Sequence, residues 1–371
     1  MRTLAINNSE AGGSWKFVQN CLLDREDVTY LTPRMALKHG LISFSINSLG
    51  LLCKLSIMRL LNKDISSRII SMHTTWINSK LFVEYCSQFD EVFVFRWVNM
   101  LSLNDLCTIS HCTRLRIVGV DDSLITPYCS FIDGCSEFHK GCFECPKCDP
   151  RRVDIVRADN YSALEIASSF SNNTLFIGAN YEYMDNFKSS YWASSCVSYE
   201  NRIWPYRTFL NDKEINAIKK ANSARSEVNI LIASLRFTRR KGSHLIPKLL
   251  EFLDANIPSN RNVTFEIVVS ELPSTLRSLE LKNINLITHP PMSSEEFEKK
   301  MAVVDLFLSL SLVDTGPFTI NIAHALRTPI IAFNIGVAKL FADRNDSLIE
   351  TIEKGDIKKL SQKVLEFIIF K

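Results

Sequence analysis

A chain of 371 residues is long enough for two domains, each with its own core. Its make-up is 46% hydrophobic and 22% charged, with a mean hydropathy of +0.03, which suits a globular protein and excludes collagen-like and disordered classes. A net charge of +3 is too small to imply a nucleic-acid partner, and no nucleic-acid-binding motif stands out.

No apolar run reaches the roughly 18 residues that cross a bilayer; the best attempt, Ile42 to Leu61, is broken by Lys54 and Arg59. The chain enters a strand-like run directly, with no basic and apolar leader ahead of it, so the expectation is a cytoplasmic protein. Eleven cysteines in such a chain read as thiols, some of them candidate metal ligands, rather than as a disulfide framework.

Short apolar runs alternate with helical patterns, which predicts an α/β fold with parallel sheets. In the first half, strands are expected at Thr3–Asn7, Val28–Leu31, Ile69–Met72, Glu91–Phe95, Arg116–Val120 and Leu175–Ala179, with helices such as Trp15–Leu23 and Ala163–Ser169. A polar stretch from Asn201 to Glu227 reads as the junction between domains 1–205 and 206–371. In the second half, strands are expected at Val228–Ser234, Val263–Val269, Ile284–Thr288, Leu306–Ser309 and Pro329–Phe333. Helices follow at Gly242–Leu253, Leu272–Leu281, Ser294–Val303 and Phe318–Leu326, and Ser293 with Glu296 has the spacing of a capping box. The last helix, Asp356–Phe370, carries Leu360, Val364, Leu365 and Ile368 on one face and is a candidate to pack back on the first domain. Ligands of open α/β sheets bind beyond the carboxyl ends of strands, so the cleft facing both sheets is the expected site.

The turn after the first strand holds Gly12 and Gly13, where backbone can come close to a ligand; a full G-x-G-x-x-G is missing, so a dinucleotide cofactor is not supported. Ile57–Ile70 and the Arg151, Arg152 and Arg157 group are basic and amphipathic, which fits peripheral contact with an anionic membrane as well as a solvated helix face. Cys129, Cys135, Cys142 and Cys145, with Cys148 beyond, can close a tetrahedral structural zinc site, or else be buried thiols or one or two disulfides. Arg236 and Lys241, around the turn SLRFTRRKG, suit a diphosphate by charge and by forked hydrogen bonding, leaving Arg239 and Arg240 to solvent. Asp314 opens the segment DTGPFTINIAHALRTPIIAFNIG; a carboxylate on a tight turn can accept sugar hydroxyls while the N–H groups at the helix start face phosphate.

Together these pieces resemble the family 4 retaining glycosyltransferases of GT-B architecture, of the bacterial surface-polysaccharide type. The likeness is carried by Arg96-Trp97-Val98-Asn99, by the segment from Val120 to Thr126, by the C-x5-C-x6-C-x2-C-P spacing, by RRKGSHLI, by the donor segment from Asp314 and by the closing helix KGDIKKLSQKVLEFI. The resemblance implies two Rossmann-like domains and transfer of a sugar from a nucleotide-diphosphate donor to a lipid-linked or saccharide acceptor. O-antigen, capsule or exopolysaccharide assembly at the inner face of the cytoplasmic membrane is the implied setting, with no cofactor required for transfer. It implies that Arg236 and Lys241 hold the donor diphosphate and that Asp314 faces the donor sugar, bordered by Gly316, Pro317, Phe318 and Thr319. Gly12, Gly13 and Asp121 would line the acceptor and sugar side.

The sequence departs from the family in places. Ile322 stands where the family has its second acid, which binds the ribose, and Val120 stands where it has a histidine. Ser123 replaces a tryptophan, and Arg327 replaces the usual glycine before Thr328-Pro329. Loss of one charge-assisted hydrogen bond costs about 1.5–3 kcal/mol. These departures open an alternative reading, a catalytically impaired relative that binds carbohydrate or a partner.

Overall fold

A computed structural model describes the chain except residues 9, 11, 42–77, 99, 127–128, 130, 147–152, 179, 195–196, 203, 234–236 and 317. The chain divides into two compact units, Met1–Trp204 and Pro205–Lys371. Each unit is built on one six-stranded sheet in which every pairing is parallel.

In the first unit the strands are β1 (Thr3–Asn7), β2 (Val28–Leu31), β3 (Glu91–Arg96), β4 (Arg114–Gly119), β5 (Thr174–Gly178) and β6 (Ser198–Asn201), in the order β2-β1-β3-β4-β5-β6. Strand β1 is buried along its whole length, as a central strand covered on both faces must be. Ile6 lies across from Leu31 on one side and Val94 on the other. The described helices are α1 (Gly12–Cys21), α2 (Pro33–Lys38), α3 (Ser79–Cys86), α4 (Leu103–Cys112), α5 (Val153–Ser168) and α6 (Tyr181–Lys188). A full capping box of Ser102 with Asp105 starts α4.

The second unit runs β7 (Val228–Ala233), β8 (Val263–Val268), β9 (Ile284–His289), β10 (Leu306–Ser309), β11 (Ile330–Phe333) and β12 (Ile349–Ile352), ordered β12-β11-β10-β7-β8-β9. Its helices are α7 (Asp212–Ser223), α8 (Ile246–Asn256), α9 (Ser274–Arg277), α10 (Ser294–Val303), α11 (Phe318–Ala325), α12 (Gly336–Ala342) and α13 (Ile357–Phe370). Ser293 and Glu296 form the expected capping box at the start of α10. The apolar stripe of α13 (Leu360, Val364 and Ile368) is buried in the core of this second unit, with Leu249, Leu253 and Phe333.

Several expectations need correction. The stretch read as a polar junction holds α7, and the helix expected over Leu272–Leu281 is only the single turn α9. The helix expected from Gly242 begins at Ile246, after two short 3-10 turns. Strands β6 and β12 and helices α2, α3, α4, α6 and α12 match no expected element; the strand expected at Ile69–Met72 lies outside the described residues. Both missed strands are four-residue sheet edges, where one flank faces solvent and the apolar run is short.

The strand orders carry a positional consequence. In the second sheet the chain builds outward from β7 to β8 and β9, then returns to place β10 on the other side of β7. The strand order therefore reverses between β7 and β10, the kind of point at which open α/β sheets bind ligands beyond their carboxyl ends. The first sheet reverses in the same way between β1 and β3.

Candidate functional site

Beyond the carboxyl ends of β7 and β10, two loops are stitched together. After β7, Arg239–Lys241 form one 3-10 turn, started by the Thr238 side chain, which accepts from the Lys241 N–H at 3.4 Å. The carbonyl of Arg240 accepts from the N–H groups of Leu312 (2.8 Å) and Val313 (3.2 Å), which join this turn to the loop after β10. Gly242 ends the turn at φ 67°, and a Cβ there would meet the Leu310 carbonyl oxygen at 1.8 Å, so only glycine allows this approach. Gly336, at φ 52°, plays the same part where α12 starts: a Cβ would lie 2.8 Å from the Asp314 carbonyl oxygen.

The stitched loops bring one carboxylate and two cations together. Asp314 Oδ2 is paired with Lys241 Nζ, and the Arg240 guanidinium lies 3.5 Å from the same oxygen. Arg240 also donates to the Val313 carbonyl at 3.0 Å, and Asp314 Oδ1 accepts from the Gly316 N–H at 3.2 Å. The acid side chain is 10% exposed, whereas Lys241 is 31% and Arg240 26% exposed. Burial pushes the Asp314 carboxyl up, but the charges of Lys241 and Arg240 and the hydrogen bonds from Lys241 and Gly316 outweigh it and hold the group below the usual carboxylate range. Close by, burial and then the charges of Arg239 and Lys248 depress the pKa of His244, a sign of the positive field around this turn. An ionised acid beside two partly exposed cations can do two things chemically. The carboxylate can accept hydrogen bonds from hydroxyl groups, and the cations can bind and neutralise a phosphate group.

Of the sequence-predicted residues, Lys241, Asp314 and Gly316 are brought together here, and Phe318 and Thr319 follow at the start of α11. Arg236 and Pro317 lie outside the described residues. Arg240, expected to face solvent, turns instead to Asp314 and to the neighbouring loop. No spacing could show this, because which of three consecutive cations on one 3-10 turn meets the neighbouring loop is decided by how the two loops pack. Ile322 is 4% exposed and belongs to an apolar cluster with Phe307, Leu326, Ile330 and Val337.

In the first unit, Gly12 and Gly13 are the opening residues of α1, directly after β1 at the reversal point. Asp121 follows β4 and is already engaged. Its Oδ1 caps a short 3-10 turn by accepting from the Ser123 N–H (3.1 Å) and hydroxyl; its Oδ2 lies 3.4 Å from Arg96 Nε. Its carbonyl accepts from the Tyr183 hydroxyl at 2.6 Å. Cys129 is tied to Thr126 through both of its backbone groups, and Cys135, Cys142 and Cys145 are free thiols. Burial and then the nearby Cys129, Cys145 and Cys135 push the Cys142 thiol up to about 12. Among the described residues, no group of three or more His, Cys, Asp or Glu side chains is arranged to hold a metal ion. Cys148 lies outside the described residues, as do the basic segments Ile57–Ile70 and Arg151–Arg152.

Solved structures share this fold. Anabaena HepE, solved in complex with UDP-glucose, superposes with a TM-score of 0.57 at 12% identity, over 100% of this chain and 90% of that one. A trehalose-phosphate synthase (UDP-forming) from Burkholderia xenovorans, solved with glucose-6-phosphate, gives a TM-score of 0.56 at 12% identity, over 100% of this chain and 93% of that one. WaaG, a glycosyltransferase involved in lipopolysaccharide biosynthesis, gives 0.55 at 13% identity, over 99% and 90%. The fold is that of the GT-B glycosyltransferases. No family model and no curated protein matches the sequence. Among the described residues, no helix is long and apolar enough to cross a membrane.

Proposed function

We propose that this chain is a glycosyltransferase that takes a nucleotide-diphosphate sugar as donor and passes the sugar, with retention, to a lipid-linked or saccharide acceptor in surface-polysaccharide assembly. One observation carries the reading: Lys241 and Arg240 meet Asp314 beyond the carboxyl ends of β7 and β10, where the strand order reverses. The cations would bind the donor diphosphate and neutralise the charge that builds on it as the sugar leaves. Asp314 would accept hydroxyls of the donor sugar. HepE was solved with UDP-glucose and with UDP, ligands of the class proposed here.

The test is a panel of nucleotide sugars titrated by calorimetry, followed by product analysis with the best binder. Binding of at least one and net transfer with retained anomeric configuration are expected. Binding without turnover over a broad acceptor set would point to the impaired, carbohydrate-binding alternative. Binding of none would end the donor reading.

For the cysteine loop we propose a structural zinc site. Its support is the C-x5-C-x6-C-x2-C spacing alone; the described thiols are not gathered into a metal-holding group, so the ion would have to draw them together. Metal analysis should find about one zinc per chain; a content near zero removes the site.

A further inference from the structure

The same pair that marks the site also obstructs it. The ammonium of Lys241 and the guanidinium of Arg240 both point to one oxygen of Asp314, which is 10% exposed and also accepts from the Gly316 N–H through its other oxygen. A phosphate group that takes Lys241 must either draw it from Asp314 or lie beside that carboxylate as a like charge, and both are unfavourable. We infer that Asp314 is an internal competitor for the diphosphate-binding cations, so that the site holds a bare diphosphate weakly and releases a spent nucleoside diphosphate readily.

The inference rests on the donor-site reading above and adds a selectivity to it. A ligand that brings hydroxyl groups can give Asp314 new donors in exchange for Lys241. A nucleoside diphosphate that has lost its sugar has no such groups at its terminal phosphate. Lys241 then returns to Asp314, and the product competes with its own binding site. Arg240 assists, because its hydrogen bond to the Val313 carbonyl and its backbone bonds to Leu312 and Val313 keep the acid within reach of the turn.

The experiment titrates inorganic pyrophosphate and UDP into the wild type, Asp314→Asn, Lys241→Met and the double variant, with thermal unfolding as a check on folding. Asparagine keeps an oxygen for the Gly316 N–H; Asp314→Ser serves as a second uncharged variant and carries the same expectation. Removing the acid should tighten pyrophosphate binding by roughly fivefold, the upper end of what a partly exposed ion pair is worth. That gain should shrink at least by half in the Lys241→Met background, where the more distant Arg240 is the cation left for the acid to hold. Folded Asp314 variants that bind no tighter, or a gain that persists in full without Lys241, would overturn the inference. If neither probe binds any variant while a nucleotide sugar binds the wild type, the competitor idea alone fails; if the nucleotide-sugar panel is blank as well, the donor site fails with it.

Discussion

Arg327 shows how a departure from a family pattern is accommodated by one residue. Helix α11 ends in a Schellman motif: the Thr328 N–H bonds the Ala323 carbonyl at 2.9 Å and the Arg327 N–H bonds the His324 carbonyl at 3.0 Å. Arg327 takes the left-handed position at φ 54°, a conformation that glycine adopts without strain. Its guanidinium reaches Asp212 (2.8 Å) and Asn216 on α7, exposed contacts that return little. Left-handed strain costs an L-residue about 1–2 kcal/mol, so Arg327→Gly should raise stability by about 0.5–1 kcal/mol in denaturant unfolding. A loss of stability would show that the bonds to α7 outweigh the strain.

Ile322 is a second case at the same scale. Its side chain is in the core, so Ile322→Glu would bury an unpaired carboxylate and should cost about 3 kcal/mol or more. An unchanged unfolding midpoint would mean that the side chain can turn out to a ribose pocket after all. For Asp314 the sign is that of a depressed acid. Its contribution is complete above the ordinary carboxylate value of about 4 and drains as pH falls through the lower folded value. The stability difference between wild type and Asp314→Asn should therefore shrink from pH 7 to about pH 2; a difference that grows on acidification would refute the pairing.

Among the elements, α7 was the least visible in the sequence. Asp212, Lys213, Glu214, Lys219 and Lys220 make it read as a linker, because only Ile215 and Ile218 supply an apolar stripe. Its polar face has a task that hydropathy does not register: it caps the carboxyl end of α10. Lys219 Nζ donates to the Ala302 carbonyl at 2.8 Å and to the Thr328 hydroxyl at 2.7 Å. Asn222 donates to Ala302 at 3.3 Å and Arg225 to Val303 at 3.0 Å, while the Thr328 hydroxyl donates to Met301 at 2.9 Å. Cations at the end of α10 answer both its unpaired carbonyls and its dipole.

Lys219 is costly to keep charged there. Burial, with Arg225 adding to it against the pull of Asp305, lowers its pKa to about 8. The folded chain then holds fewer protons than the unfolded one between about 8 and the ordinary lysine value. Relative to Lys219→Met, wild-type stability should rise across pH 8 to 10. A flat difference would mean that Lys219 titrates normally.

At the scale of the molecule, the parallel α/β class was legible because central strands such as TLAIN and VNILIA are predominantly apolar runs between helices. The order of strands within each sheet was not legible, since no residue pattern states on which side of β7 the chain will place β10. That order is what brings Lys241 and Asp314 into contact, although 73 residues separate them in sequence. The acid and one cation were therefore readable as types, but the second cation, Arg240, emerged only from the packing of the two loops.

The central claim is that these cations grip the diphosphate of a sugar donor. Calorimetric titration of the best-binding nucleotide sugar into wild type, Arg240→Ala, Lys241→Ala and the control Lys363→Ala, a lysine of similar exposure paired with Glu350 and Glu366, tests it most directly. Affinity should fall at least about tenfold in the first two variants and stay unchanged in the control. A folded Lys241→Ala protein that binds the donor as tightly as wild type would contradict the account.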